Sequence, residues 1–184
     1  HSTDSSYDLS GIATTGTKIL EFSATSTFTG NLGTVSTISV DSGVIATMSA
    51  ASLNGKTATL SGAGALNITA GATAAANNFA NLTNSISGEV TLNVTSAIDL
   101  TTANLGTALD KLGANAAVTL SGTQANMFAS YTGSGNITIE AGSSSSVDLS
   151  TKTLAGYRGT FILNDGIGAQ TLIGTMNNDT YNVD

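Results

Sequence analysis

Cysteine, proline and tryptophan are absent from the 184 residues, and histidine occurs once, at position 1. Without Cys there is no disulfide scaffold, thiolate metal site or cysteine nucleophile. His1 and Ser2 look like an expression remnant. Setting them aside leaves no imidazole for a Ser-His-Asp triad, a histidine zinc site or a histidine acid/base pair. Cations are scarce as well: Lys18, Lys56, Lys111, Lys152 and Arg158 stand against 12 acids, for a net charge of −7. Such a surface repels a phosphate backbone, so nucleic acid is not an expected partner. Charged residues make up only 9%, where an ordinary globular domain carries about 25%. That composition does not fit a soluble housekeeping enzyme.

No apolar run approaches the roughly 18 residues that span a bilayer. No basic stretch leads into an apolar one as in a signal peptide, so an export signal would lie outside these residues. Hydrophobic residues still reach 40%, enough to fold rather than stay disordered. The remainder is dominated by Thr, Ser, Ala and Gly, and a Cys-free chain of this kind fits an extracellular protein exposed on a bacterial surface.

What is present is repetition. KILEF (18–22), TISVD (37–41), ALNIT (65–69), TLNVT (91–95), AVTLS (117–121), NITIE (136–140) and TFILN (160–164) are short, β-branched, alternating segments that predict strands. Ile68, Val94 and Leu120 recur at one constant interval, and Phe79, Leu105 and Tyr131 repeat that same interval, which predicts columns of parallel strands with these side chains inside. Between the strands, 98–113 predicts a helix. Leu105, Leu109 and Leu112 share one of its faces, Thr101 or Thr102 caps its start and Gly113 ends it. Segments 71–82 and 122–131 predict weaker helices that bury Phe79 and Leu82, and Met127 and Phe128.

A unit of roughly 20 to 28 residues cannot bury its own apolar face, so units must stack. The expected fold is therefore mainly β, a parallel β-solenoid with short helices, ending in β-roll-like turns; an antiparallel β-sandwich is the alternative. The lack of Pro agrees, because every rung must donate its N–H groups to a neighbour. The expected organisation is a lead-in at 1–17, a repeat solenoid at 18–160 and a distinct segment at 161–184. Asn67, Asn81, Asn93, Asn136 and Asn178 head N-x-T tripeptides, which so Thr-rich a chain contains by composition alone. We do not read them as glycosylated.

The distinct segment carries two consecutive nonapeptides, DGIGAQTLI (165–173) and GTMNNDTYN (174–182). They resemble G-G-x-G-x-D-x-U-x, the calcium-binding repeat of RTX (haemolysin-type) secreted proteins. Gly166, Gly168 and Leu172 match in the first, where Gln170 takes the acidic position and Asp165 replaces a glycine. Gly174, Asp179 and Tyr181 match in the second, where Thr175 and Asn177 replace glycines. The resemblance implies calcium, with Asp179, Asn177, Gly174, Asp165 and Asp184 as candidate ligands. One motif carboxylate cannot complete a shell of six to eight oxygens, so further repeats beyond residue 184 would be needed. It also implies type I secretion.

With the composition, the resemblance makes a structural module of a secreted surface protein the leading expectation: an S-layer or RTX-type coat that self-associates or contacts neighbouring modules of the same protein. The alternative is an adhesin or ligand-binding segment, for instance for cell-surface polysaccharide, using Tyr131, Tyr157 or Tyr181. A β-helix polysaccharide enzyme would need paired carboxylates. Glu21, Glu89 and Glu140 are far apart in the repeat and Arg158 is alone, so no catalytic residue is expected.

Overall fold

The structure is a computed structural model, and it describes residues 8–11, 15–143, 146–168 and 170–183. His1 and Ser2, read above as a remnant, and the candidate ligand Asp184 lie outside the described residues. The fold is mainly β, and its strand pairs are parallel, as in a β-solenoid. The chain divides into two compact units: residues 1–71, 76–92 and 104–109 in the first, and 72–75, 93–103 and 110–184 in the second.

In the first unit, β1 (Ile19–Phe22), β3 (Thr37–Val40), β5 (Ala58–Gly62) and β7 (Leu82–Ile86) form one sheet. β2 (Ser26–Phe28), β4 (Ile45–Ser49) and β6 (Ala65–Thr69) pair in another. A one-turn helix, α1 (Ala50–Leu53), follows β4, with the Ser49 hydroxyl accepting from the Ser52 amide. Alternation sends Ile38, Val40, Leu60, Met48, Leu66 and Ile68 inward, each fully buried. Burying such a side chain contributes about 1.5–3 kcal/mol, and the two-residue period of a strand is what puts all of them on one side.

β8 (Val90–Val94) lies across the division between the units. In the second unit, β9 (Ile98–Asp99), β11 (Val118–Ser121), β13 (Ile137–Glu140), β15 (Phe161–Asn164) and β17 (Asp179–Asn182) make a five-stranded sheet. β10 (Lys111–Ala114) pairs with β12 (Ser130–Gly133), and β14 (Ser146–Asp148) with β16 (Thr171–Ile173). Four rings fill the core: Tyr131 meets Phe128 and Phe161 edge-on at centroid distances of 5.9 and 5.1 Å, and Tyr157 tilts against Phe161 at 4.9 Å. α2 (Gly122–Met127) begins in a full capping box, the Ser121 hydroxyl taking the Gln124 amide while the Gln124 side chain takes the Ser121 amide.

All seven alternating segments are strands, and 122–131 contains α2 as expected, although Met127 is only half-buried. Three expectations fail. The helix at 98–113 does not form: Asp99 ends β9, Lys111–Ala114 is a strand, and Gly113 sits inside it. Leu105, Leu109 and Leu112 are buried nonetheless, so their helical spacing is produced by an extended path around a corner. At 71–82 only a 3-10 turn forms, Ala74–Ala76, while Phe79 and Leu82 are buried. The constant-interval column also fails, for Ile68 pairs with Met48 in the β2, β4, β6 sheet whereas Leu120 pairs with Ile139 in the five-stranded one. All three members, Val94 included, are fully buried. Turn length varies: the path from Ser146 round to its partner Thr171 is longer than that from Ile19 to Thr37, because corners absorb insertions without changing strand register.

A corner motif unseen in the strand pattern sets that register. Asn31-Leu32-Gly33, Asn78-Phe79-Ala80, Asp99-Leu100-Thr101 and Asp148-Leu149-Ser150 all close the same turn. In each, the first side chain accepts from the amide two residues on, at 2.8–3.3 Å. The middle residue is fully buried, and its carbonyl accepts from the amide three residues later. Asp and Asn do this because their short side chains mimic a backbone turn. At Gly106 the sequence NLGT repeats, φ is +62°, and a Cβ would stand 2.5 Å from the Phe79 carbonyl oxygen of the adjacent corner. Only glycine fits there.

Candidate functional site

The two nonapeptides build equivalent turns in the second unit. Gln170 accepts from the Gly166 amide through Oε1 at 2.7 Å, and one nonapeptide later Asp179 accepts from the Thr175 amide through Oδ2 at 2.6 Å. Each motif side chain therefore closes its own turn by reaching back to the start of it. β16 then pairs with β14 and β17 with β15, so successive nonapeptides feed different sheets. Phe161 pairs with Asp179, which gives the last turn the length of two nonapeptides.

The candidate calcium ligands are unequally placed. Both Asp179 carboxylate oxygens also take the Thr175 hydroxyl, at 3.1 and 3.2 Å. A Cβ on Gly174 would stand 2.2 Å from Asp179 Oδ2 and 2.3 Å from the Tyr181 hydroxyl, so this glycine is what lets the carboxylate fold over its turn. The Asn177 amide donates to Thr175 Oγ1 at 3.1 Å, and the Asp165 amide to the Asn182 carbonyl at 3.0 Å. A cation at Asp179 would share these oxygens with the Thr175 donors. No group of three acidic, His or Cys side chains spaced to hold a metal occurs among the described residues. The residues present thus do not by themselves assemble a calcium shell.

Of the three candidate tyrosines, two are interior. Tyr131 is fully buried and donates to the Ala125 carbonyl at 2.5 Å. Tyr157 donates to the carbonyls of Gly135 and Thr160 at 3.1 and 3.2 Å. Burial pushes both phenols well above their ordinary pKa; the charge of Tyr157 adds a smaller rise at Tyr131, while at Tyr157 a backbone hydrogen bond at Ile137 opposes the rise and Asp179 adds a little to it. Neither can stack on an external ligand. Tyr181, 46% exposed, can.

Two open hollows flank this segment. One, of about 300 Å3, is lined by Asp165, Gly168, Gln170, Leu172, Tyr181 and Val183. The other, of about 470 Å3, is lined by Tyr157, Arg158, Gly159, Thr160, Met176 and the amides Asn177 and Asn178. Glu140 does not stand free, since its Oε1 takes the Asn164 amide at 2.7 Å, and Asn164 Oδ1 in turn takes the Asn182 amide at 2.7 Å. This side-chain ladder escapes a sequence reading because its members belong to three successive turns of unequal length. Glu21, on β1, and Glu89 are exposed.

Corner aspartates are the remaining perturbed acids. Asp8, Asp99 and Asp148 have carboxyls held below the usual range first by the side-chain hydroxyl and then by the amide of the residue two on, Ser10, Thr101 and Ser150. Their role is structural, the same one Asn31 and Asn78 fill without charge.

No protein-family model matches the chain, and neither a curated protein nor a solved structure matches it.

Proposed function

We propose that the chain is a structural module of a secreted bacterial cell-surface protein, of S-layer or RTX type, that acts by self-association and surface coating outside the cell. One observation carries the reading. Of the large hydrophobic side chains that are exposed, Ile167, Ile173, Met176, Tyr181 and Val183 cluster at the last two nonapeptides, beside β17, the terminal strand in its sheet order. An apolar surface next to a strand edge favours pairing with another chain. The low charge density supports the same reading, since little repulsion opposes contact and salt screens what there is. Calcium belongs to this proposal as a cofactor shared with ligands outside the described residues, and type I secretion follows from the same nonapeptide resemblance.

The exposed amides and Arg158 around the larger hollow favour a second reading, an adhesin segment that holds cell-surface polysaccharide. Light scattering over a concentration series, with and without calcium, separates the two. Growth of assemblies with concentration, suppressed by Ile173→Lys with Tyr181→Lys, is expected. A strictly monomeric species throughout, with retention on a polysaccharide column lost in Arg158→Ala, transfers the assignment to the adhesin. Turnover of a polysaccharide abolished by Glu21→Gln, Glu89→Gln or Glu140→Gln would make the chain an enzyme. Calcium at millimolar concentration is expected to raise the melting temperature only slightly, because stabilisation follows RT ln(1 + [L]/Kd) and the site is incomplete.

A further inference from the structure

The outward face of the first unit's four-stranded sheet carries an ordered array of hydroxyl groups that neither the turn closures nor the self-association reading uses. Register pairs Thr37 with Thr59 and Thr59 with Thr83, and in the same three strands Ser39 with Ser61 and Ser61 with Ser85. The tripeptides TIS, TLS and TNS of β3, β5 and β7 thus form two columns, three rungs deep. Their spacing follows from β geometry: about 4.8 Å between rungs and about 6.6 Å along each strand. Of the middle residues, Ile38 and Leu60 are fully buried in the core, while Asn84 is half-buried and its Oδ1 accepts from the Ile86 amide at 2.9 Å.

The hydroxyls are free to bond outward. Only Ser61 has a protein acceptor, the Ile38 carbonyl, at a long 3.4 Å; among the described residues Thr37, Ser39, Thr59, Thr83 and Ser85 have none. No charged or aromatic side chain occupies an outward position of these three strands, so neither ions nor stacked sugar rings are their natural ligand. Thr is stiff about χ1, so each of its hydroxyls keeps a fixed position with a methyl group beside it. A neutral, rigid, two-dimensional lattice of hydroxyls and methyls is complementary to a lattice of water. Its rung repeat is close to the oxygen repeat of ice, and ordering the face costs nothing because the solenoid has already fixed it.

We propose that this T-x-S face binds ice, anchoring ordered water on Thr37, Thr59 and Thr83 with Ser39, Ser61 and Ser85 alongside. β1 bounds the array, since it places Ile19 and Glu21 against Thr37 and Ser39. The proposal is independent of the surface-coat reading and stands or falls without it.

Ice-affinity partitioning tests it. Protein in dilute buffer is exposed to a slowly growing ice surface, and the ice and liquid fractions are compared. Wild type is expected to be enriched in the ice. Thr59→Tyr, at the centre of the array and outward on a strand where Tyr is well tolerated, is expected to be excluded like an ordinary solute while keeping the wild-type circular dichroism and melting temperature. Thr138→Tyr, outward on β13 of the second unit, serves as control and is expected to partition like wild type. Exclusion of the wild type from ice, undiminished entry of a folded Thr59→Tyr, or equal loss in Thr138→Tyr overturns the proposal. Retention on microcrystalline cellulose together with exclusion from ice also overturns it, and reassigns the face to a polysaccharide surface.

Discussion

β15 and β17 are neighbours in one sheet, joined by the same parallel register, yet they differ in what lies under them. In β15, Phe161 and Leu163 are 1% and 0% exposed, and Phe161 packs against Tyr131 and Tyr157. In β17 the equivalent positions are Asp179 and Tyr181, of which Asp179 is half-buried and Tyr181 exposed. Backbone pairing is thus common to both, whereas apolar burial belongs to β15 alone. Net hydrogen-bond stabilisation is small, so pairing sets the shape of a rung and burial sets its stability. The last rung is therefore expected to open locally well before the core.

The largest expected effect breaks the buried side of that comparison. Phe161→Ala removes a ring packed on two others, and urea denaturation should show a loss of about 3–5 kcal/mol, as for large-to-small changes in close-packed cores. Tyr181→Ala, one rung away at the paired position of Leu163, should cost under about 1 kcal/mol. Equal costs would mean that the last rung has a core of its own.

Corners come next. Gly106→Ala forces a Cβ against the Phe79 carbonyl at a φ of +62°, and should destabilise by about 1–3 kcal/mol. Gly43→Ala, at φ +76° with open space around it, meets only the conformational term and should cost about 1 kcal/mol. Ser121→Ala removes the capping-box hydroxyl of α2 and is expected to cost about 0.5–2 kcal/mol.

The smallest effect is electrostatic. The Asp99 and Asp148 carboxyls are depressed on folding, so their contribution is present above the unfolded carboxyl pKa of about 3.9 and is lost as pH falls through the lower folded value. Urea midpoints should decline on acidification below about pH 4. Asp148→Asn, which keeps the turn acceptor as Asn31 does, should remove part of that decline while leaving the midpoint at pH 7 nearly unchanged. A large loss at pH 7 would show that charge, rather than turn geometry, holds the corner.

The residues themselves determined the class of structure: β-branched alternation marked KILEF, TISVD, NITIE and TFILN as strands, the missing Pro allowed every rung to pair, and the two nonapeptides closed equivalent turns around Gln170 and Asp179. They also hold no thiol, and no imidazole beyond His1. Only the tertiary structure decided the rest, because the physics there is long-range. Leu105, Leu109 and Leu112 have helical spacing but no helix, since Asp99 closes a corner and Lys111–Ala114 gains a partner strand at Ser130–Gly133, one turn later in the chain. The regular interval of Ile68, Val94 and Leu120 dissolved into turns of unequal length, as only strand register, and not chain distance, is fixed by hydrogen bonding. The hydroxyl columns were written in TIS, TLS and TNS all along, but their alignment depends on corners of unequal length, and chain separation says nothing about which side chains meet until those corners have folded.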